Sequence, residues 1–317
     1  MNLQTQIPLK KELRNQIDYK ANILLLGSCF SKNIGDKLAH FKFQSEQNHF
    51  GILFHPKAIE TLITNAINEK KYTEKDIFFT NERWHSFEAH SNLSCADKNK
   101  LLENLNTAIQ QTNQQLKNAS HVIITLGTSW IYRFIETDTI VANCHKIPQK
   151  KFLKELLSVD EITESLEAII SLIMSVNKNA AIIFTVSPVR HLKDGFVENQ
   201  QSKSHLIAGI HQLLDCARRD IFYFPAYEIM MDELRDYRFY AEDMIHPNAT
   251  AINYIWEKFL NVWISDAAHQ ILQEVTVIQN GLNHKAFNPN SEQHQQFLIG
   301  LKSKIKLLQE KHPFMEF

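Results

Sequence analysis

Glycine and proline are both scarce in this chain, with eight of each among 317 residues. An average protein carries roughly 7% glycine, so collagen-like, linker-rich and low-complexity architectures are excluded. Cysteine is scarcer still. Cys29, Cys95, Cys144 and Cys216 stand far apart, with no C-x-x-C pair, so no zinc ribbon is indicated. A chain of this length needs no disulfide staples, which fits a reducing compartment. Net charge is nearly absent, at −1 from 34 basic and 35 acidic residues. No bulk field therefore draws the chain to nucleic acid or to an anionic membrane. Long apolar runs are missing too: those at 23–26 and 180–184 are far too short to cross a bilayer. The opening MNLQTQIPLKKELRNQ holds no apolar stretch of a secretion signal. The expectation is a soluble, cytoplasmic protein with no nucleic-acid or membrane partner.

What is present is a globular composition, 44% apolar and 22% charged, long enough for one large domain or two smaller ones. Short apolar runs alternate with segments of helical spacing, the pattern of βα units around a mostly parallel sheet. Strands are predicted at 22–26, 121–126, 180–186 and 221–224, with a weaker one at 41–45. Helices are predicted at 31–40, 56–69, 97–117, 160–175, 200–218 and 249–269, and 130–141 reads as a hairpin excursion. A last helix after Asn290 carries Phe297, Leu298, Leu301, Ile305 and Leu308 on one stripe, which suits docking on the main domain. The fold class is α/β: a three-layer αβα sandwich with a five-stranded, mostly parallel sheet, flavodoxin-like, plus a C-terminal helical extension. Residues 1–270 are read as a catalytic domain and 271–317 as a docked helical appendix.

In open α/β sheets, ligands bind outside the carboxyl ends of the strands. After the first strand comes Gly27-Ser28-Cys29-Phe30, which puts a hydroxyl at a helix N-terminus, where free N–H groups favour negative charge. That suits a nucleophile whose attack creates an oxyanion; the structural alternative is a plain N-cap. His49-Phe50-Gly51-Ile52 puts a glycine in the next loop, and Gly127-Thr128-Ser129-Trp130 follows the third long strand. Asp243-Met244-Ile245-His246-Pro247-Asn248 precedes a long helix. An aspartate three residues before a histidine can orient its imidazole and select the tautomer.

The strings GSCF, LGTSW, TVSPVRH and DMIHPN, in this order, resemble the GSCFA family, within the SGNH/GDSL hydrolase superfamily. The resemblance runs from about Ile23 to Phe259. It implies an SGNH-type fold and a serine-dependent ester hydrolase acting on a small acyl ester, such as an O-acylated carbohydrate. Ser28 would be the nucleophile, His246 the general base and Asp243 its carboxylate partner. The N–H groups of Ser28 and Gly51 would form the oxyanion hole. Where the superfamily usually places an asparagine, this chain has Ser129, so Ser129 or Thr128 would supply a hydroxyl donor instead. The aspartate that usually follows the first glycine is also absent. Alternatives on the same scaffold are an O-acyltransferase and a non-catalytic carbohydrate-binding protein with an impaired oxyanion hole.

Trp84, His90, His145, Lys146, Arg190 and His191 fall in loops that can reach the same edge, where imidazole and guanidinium groups favour an anionic or heavily hydroxylated substrate. Cys29 is a second nucleophile candidate at the helix start. His40, His211, His269, His284, His294 and His312 are read as solvated or packing residues, and the segment 227–240 carries no assigned chemistry. No H-E-x-x-H or H-x-H spacing occurs, so no metal and no cofactor are expected.

Overall fold

A computed structural model describes residues 5–215 and 220–317. Cys216 and Arg218, the latter at the expected end of a helix, lie outside the described residues. The central sheet uses β1 (Asn22–Gly27), β2 (Gln44–Gln47), β5 (His121–Leu126), β9 (Ala181–Val186) and β10 (Ile221–Tyr223). Its order is β10-β9-β5-β1-β2, and every pairing is parallel. Chain direction across the sheet reverses between β1 and β5. That makes this pair the topological switch point, where two strand ends part to leave a crevice.

The strands that read most clearly are those buried on both faces. β5 and β9 are buried throughout, and a strand covered by helices on two sides needs a near-continuous apolar run. Side chains alternate between the two apolar layers. Leu24 and Leu26 face α2 (Pro56–Ile67), α3 (Lys98–Asn118), α4 (Val159–Val176) and α5 (Phe196–Leu214). Ile23 and Leu25 face the other layer, with α1 (Cys29–His40), α7 (Ala249–Trp263), α8 (Asp266–Asn283) and α9 (Glu292–Lys311). A short α6 (Ala226–Glu228) continues into a π-turn, Ile229–Glu233, which joins that second layer.

Local chemistry fixes the helix starts. Ser28 caps α1, His55 caps α2 with Pro56 in its first turn, and Ser158 with Glu161 forms a capping box at α4. Each satisfies N–H groups that a helix leaves without partners.

Four expectations are corrected. The weak strand at 41–45 lies at Gln44–Gln47, a polar edge strand set by its register with β1 and by side-chain bonds to Tyr19, Asp36 and Gln115. The excursion after β5 gains a strand: β6 (Trp130–Phe134) pairs antiparallel with β7 (Thr139–Val141) and also with β8 (Phe152–Leu156). A further hairpin, β3 (Phe78–Thr80) with β4 (Arg83–His85), had no expected counterpart. The single helix expected at 249–269 is broken at Ile264 and Ser265. There Ile264 bridges Ile17, the Ser265 N–H donates to the Ile17 carbonyl, and Ser265 caps α8. In α9, Leu301 and Leu308 are buried in the second layer, whereas Phe297 is largely exposed. Among the described residues, no helix is long and apolar enough to cross a membrane.

Candidate active site

The switch point gathers the glycine turns. Gly27 ends β1 at φ +127°, and a Cβ there would collide with the Thr125 carbonyl of the neighbouring strand. Gly51 has φ +73°, and a Cβ would run into His90. Both positions require glycine, because a left-handed backbone and a close approach coincide. Asn48 ties the two turns together: its Oδ1 accepts the Gly27 N–H at 2.9 Å, and its carbonyl accepts the Gly51 N–H at 2.7 Å.

Ser28 lies at this turn but is sealed. It has no solvent exposure, and its Oγ accepts the Phe30 N–H at 3.4 Å as the cap of α1. Cys29, the first residue of α1, is half-buried and carries a free thiol. Burial pushes that thiol above its ordinary range, against the opposing pull of the Lys203 charge and of the Cys29 and Phe30 N–H groups. Of the two nucleophile-bearing residues, Cys29 is the one that is partly exposed.

The four expected oxyanion donors are already committed. The Ser28 N–H donates to the Thr125 carbonyl at 3.0 Å, and the Gly51 N–H to Asn48. Thr128 Oγ1 lies 3.0 Å from Ser202 Oγ on α5 and accepts the Trp130 N–H. Ser129 Oγ donates to the Ser202 carbonyl at 3.1 Å, and its N–H donates to Ser202 Oγ at 2.7 Å. The hydroxyls after β5 therefore anchor α5 instead of facing the β1 turn, because a buried hydroxyl must find a partner and Ser202 is the one in reach.

Asp243 and His246 pair as expected from their spacing. Asp243 Oδ2 lies 2.6 Å from His246 Nδ1, and Asp243 Oδ1 accepts the N–H groups of Ile245 and His246. Those bonds, the His246 N–H foremost, hold the carboxyl down at about 2. Both side chains are about half exposed, and His246 Nε2 has no protein partner among the described residues. The loop is closed by a Tyr240–Pro247 bridge and by the Ala241 N–H donating to the His246 carbonyl.

Two residues after β9 stand between this loop and the switch point. A Cβ on Gly127 would lie 3.1 Å from His191 Nε2, and the His191 ring meets Phe54 edge-on at 5.2 Å. Burial, followed by the charges of Lys203 and His246, pushes His191 down to about 3, so it is neutral at physiological pH. Arg190 stacks on the Tyr240 ring at 5.7 Å. His90 packs at Gly51. The other three substrate-binding candidates lie in the β3–β4 hairpin and in the loop between β7 and β8. Trp84 packs on Phe79, and His145 bonds the Ser86 carbonyl at 2.7 Å beside His85 and Phe78. Lys146 is exposed in a left-handed turn.

One residue at the site was not read from the sequence. Lys203 on α5 is completely buried and donates to the carbonyls of Gly127 at 2.7 Å and Ser187 at 2.8 Å, the residues just beyond β5 and β9. Its ammonium also lies 5.6 Å from the Tyr227 ring. Desolvation pushes it down to about 7. The segment QQSKSH around it reads as a solvated helix face, so only its apolar neighbours Leu206 and Ile210 could have placed it on the inner side.

Residues 22–259 match the GSCFA family, and residues 275–317 match the GSCFA domain protein, C-terminal domain. The chain belongs to the GSCFA family. None of the curated proteins matches it. Within this GSCFA protein the first match ends in α7 and the second begins in α8, and the buried residues of α8 share one apolar layer with α1 and α7. Among the described residues, no group of three or more His, Cys, Asp or Glu side chains is placed to hold a metal ion.

Proposed function

We propose that this GSCFA protein is an ester hydrolase of SGNH type, acting on a small acyl ester such as an O-acylated carbohydrate. The observation that carries the reading is the Asp243–His246 pair. Its Nε2 is left free at the sheet edge that also holds the N-terminus of α1. An imidazole held in one tautomer by a carboxylate is the arrangement general-base catalysis requires.

We assign the nucleophile to Cys29 in preference to Ser28. Ser28 is spent as a buried cap, while Cys29 is partly exposed; burial pushes its thiol up, so it depends on His246 to take its proton before it attacks. The thiol gives its proton to His246 and attacks the ester carbonyl. The C–O bond then breaks, and the alcohol leaves with that proton. Water, deprotonated by His246, attacks the resulting thioester and releases the acid and the thiol.

A second reading has its own support. The committed N–H groups of Ser28 and Gly51 favour a protein that keeps the fold without turnover, for which a carbohydrate-binding role is the alternative on this scaffold.

Incubation with p-nitrophenyl acetate followed by peptide mass spectrometry separates these. The expected outcome is acetyl on Cys29, lost in Cys29→Ala and slowed in His246→Ala. Acetyl on Ser28 would return the nucleophile to that residue. Ser28→Ala also removes a cap and costs about 1 kcal/mol of stability, so its fold is checked by denaturation. A folded protein with no adduct and no turnover supports the binding reading. Products formed with a sugar acceptor present tell hydrolysis from transfer.

A further inference from the structure

A cavity lies beside the Asp243–His246 loop, and its chemistry is specific. It holds about 240 Å³ and is lined by Arg190, Arg235, Tyr237 and Tyr240, with Met231 and Asp236 at its wall. Drug-sized ligands occupy roughly 300–1,000 Å³, so this space suits one substituent or one ring. Arg190 reaches it from the loop that follows β9, one residue before His191. Tyr240 reaches it from the strand bridge that holds Pro247, next to His246. The cavity therefore adjoins the proposed reaction centre through two separate connections.

Its charge balance is positive. Asp236 is taken by Arg238, which donates to it from both its backbone N–H and its guanidinium at 2.8 and 2.9 Å. Arg190 is half-buried, and its guanidinium meets only uncharged groups: the Met231 sulfur at 3.2 Å and the Tyr240 phenol ring. Among the described residues, neither Arg190 nor Arg235 forms an ion pair with a carboxylate. A guanidinium presents five donors in a planar fork matched to oxyanions, and a thioether is a poor acceptor for them. Two such forks on one small cavity, with Tyr237 mostly exposed at its rim, are built for a ligand that brings its own negative charge.

We propose that this cavity is an anion subsite that binds a carboxylate or phosphate substituent of the ester substrate. This rests on the hydrolase reading above and narrows its substrate class to charged esters. Tyr237 and Tyr240, with ring centroids 5.9 Å apart, offer apolar faces for the ring that carries the charge.

Titration calorimetry on the full chain tests this without turnover. The probes are inorganic phosphate, glucuronate and glucose. Phosphate or glucuronate binds and glucose does not; whichever anion binds more tightly identifies the substituent. Arg190→Gln and Arg235→Gln each weaken anion binding by about tenfold or more, the loss expected for a charge-assisted contact. Arg190→Lys keeps the charge without the fork and falls between, a graded response that covers the case in which Arg190→Gln fails to fold. Failure of both anions to bind overturns the subsite, as does equal binding by the wild type and the variants. A protein that binds the anion but never acylates leaves the subsite standing and sinks the hydrolase. One that acylates without binding does the reverse.

Discussion

Asp243 grips His246 twice, through the side chain at Nδ1 and through the backbone N–H, with one carboxylate oxygen for each. The second oxygen also takes the Ile245 N–H, so the aspartate shapes the loop and orients the ring together. The two roles are separable. In Asp243→Asn the amide oxygen can still accept the backbone N–H groups, while its NH₂ faces Nδ1 and selects the wrong tautomer. Turnover of p-nitrophenyl acetate is expected to fall about 10⁴-fold with little change in the thermal midpoint. Retained turnover would remove His246 from the base role.

Gly51 is the least substitutable position of the β2–α2 loop. Its φ of +73° and the close approach of His90 act against any side chain. Gly51→Ala is expected to cost about 1–2 kcal/mol for the left-handed backbone and about 1–3 kcal/mol more for displacing His90. A urea midpoint within error of wild type would show that the loop rearranges freely.

Lys203 makes stability depend on pH in a direction opposite to a surface lysine. Its folded value of about 7 lies below the ordinary 10.5. Between those values the unfolded chain holds the proton and the folded one does not, so stability rises with pH across that window. Below about pH 7 the buried charge is carried in both states and the full desolvation cost is felt. Compared with Lys203→Met, the wild type should gain on the order of a few kcal/mol between roughly pH 6 and pH 10. Denaturation midpoints of both proteins over that range check this; parallel curves would mean the ammonium is solvated.

Much of the frame is legible in the chain because burial on two faces leaves a mark. NILLL, HVIITL and AIIFTV are almost wholly apolar, as the middle of a parallel sheet demands, and the apolar pattern sets bounds close to those observed. QSEQ, at the edge, is covered by strand pairing on one side only, so its sequence carries no comparable signal. The D-x-x-H pair was legible for a local reason: three residues and a tight loop suffice to bring Asp243 to His246, with no distant element required.

What the sequence alone determined, then, is what depends on neighbours along the chain: buried strands, helix caps, glycine turns and the Asp243–His246 pair. The tertiary structure decided where polar groups from distant segments find partners. It turned Ser129 toward Ser202 on α5, placed Lys203 beneath the Gly127 and Ser187 carbonyls, and ended α7 where Ile17 meets Ile264. It also sealed Ser28 and left Cys29 half open, although the two are adjacent in sequence. The reason is physical. A buried hydroxyl or ammonium costs several kcal/mol unless it is paired, and the available partner is set by which strands and helices pack together, a long-range fact that no local pattern encodes.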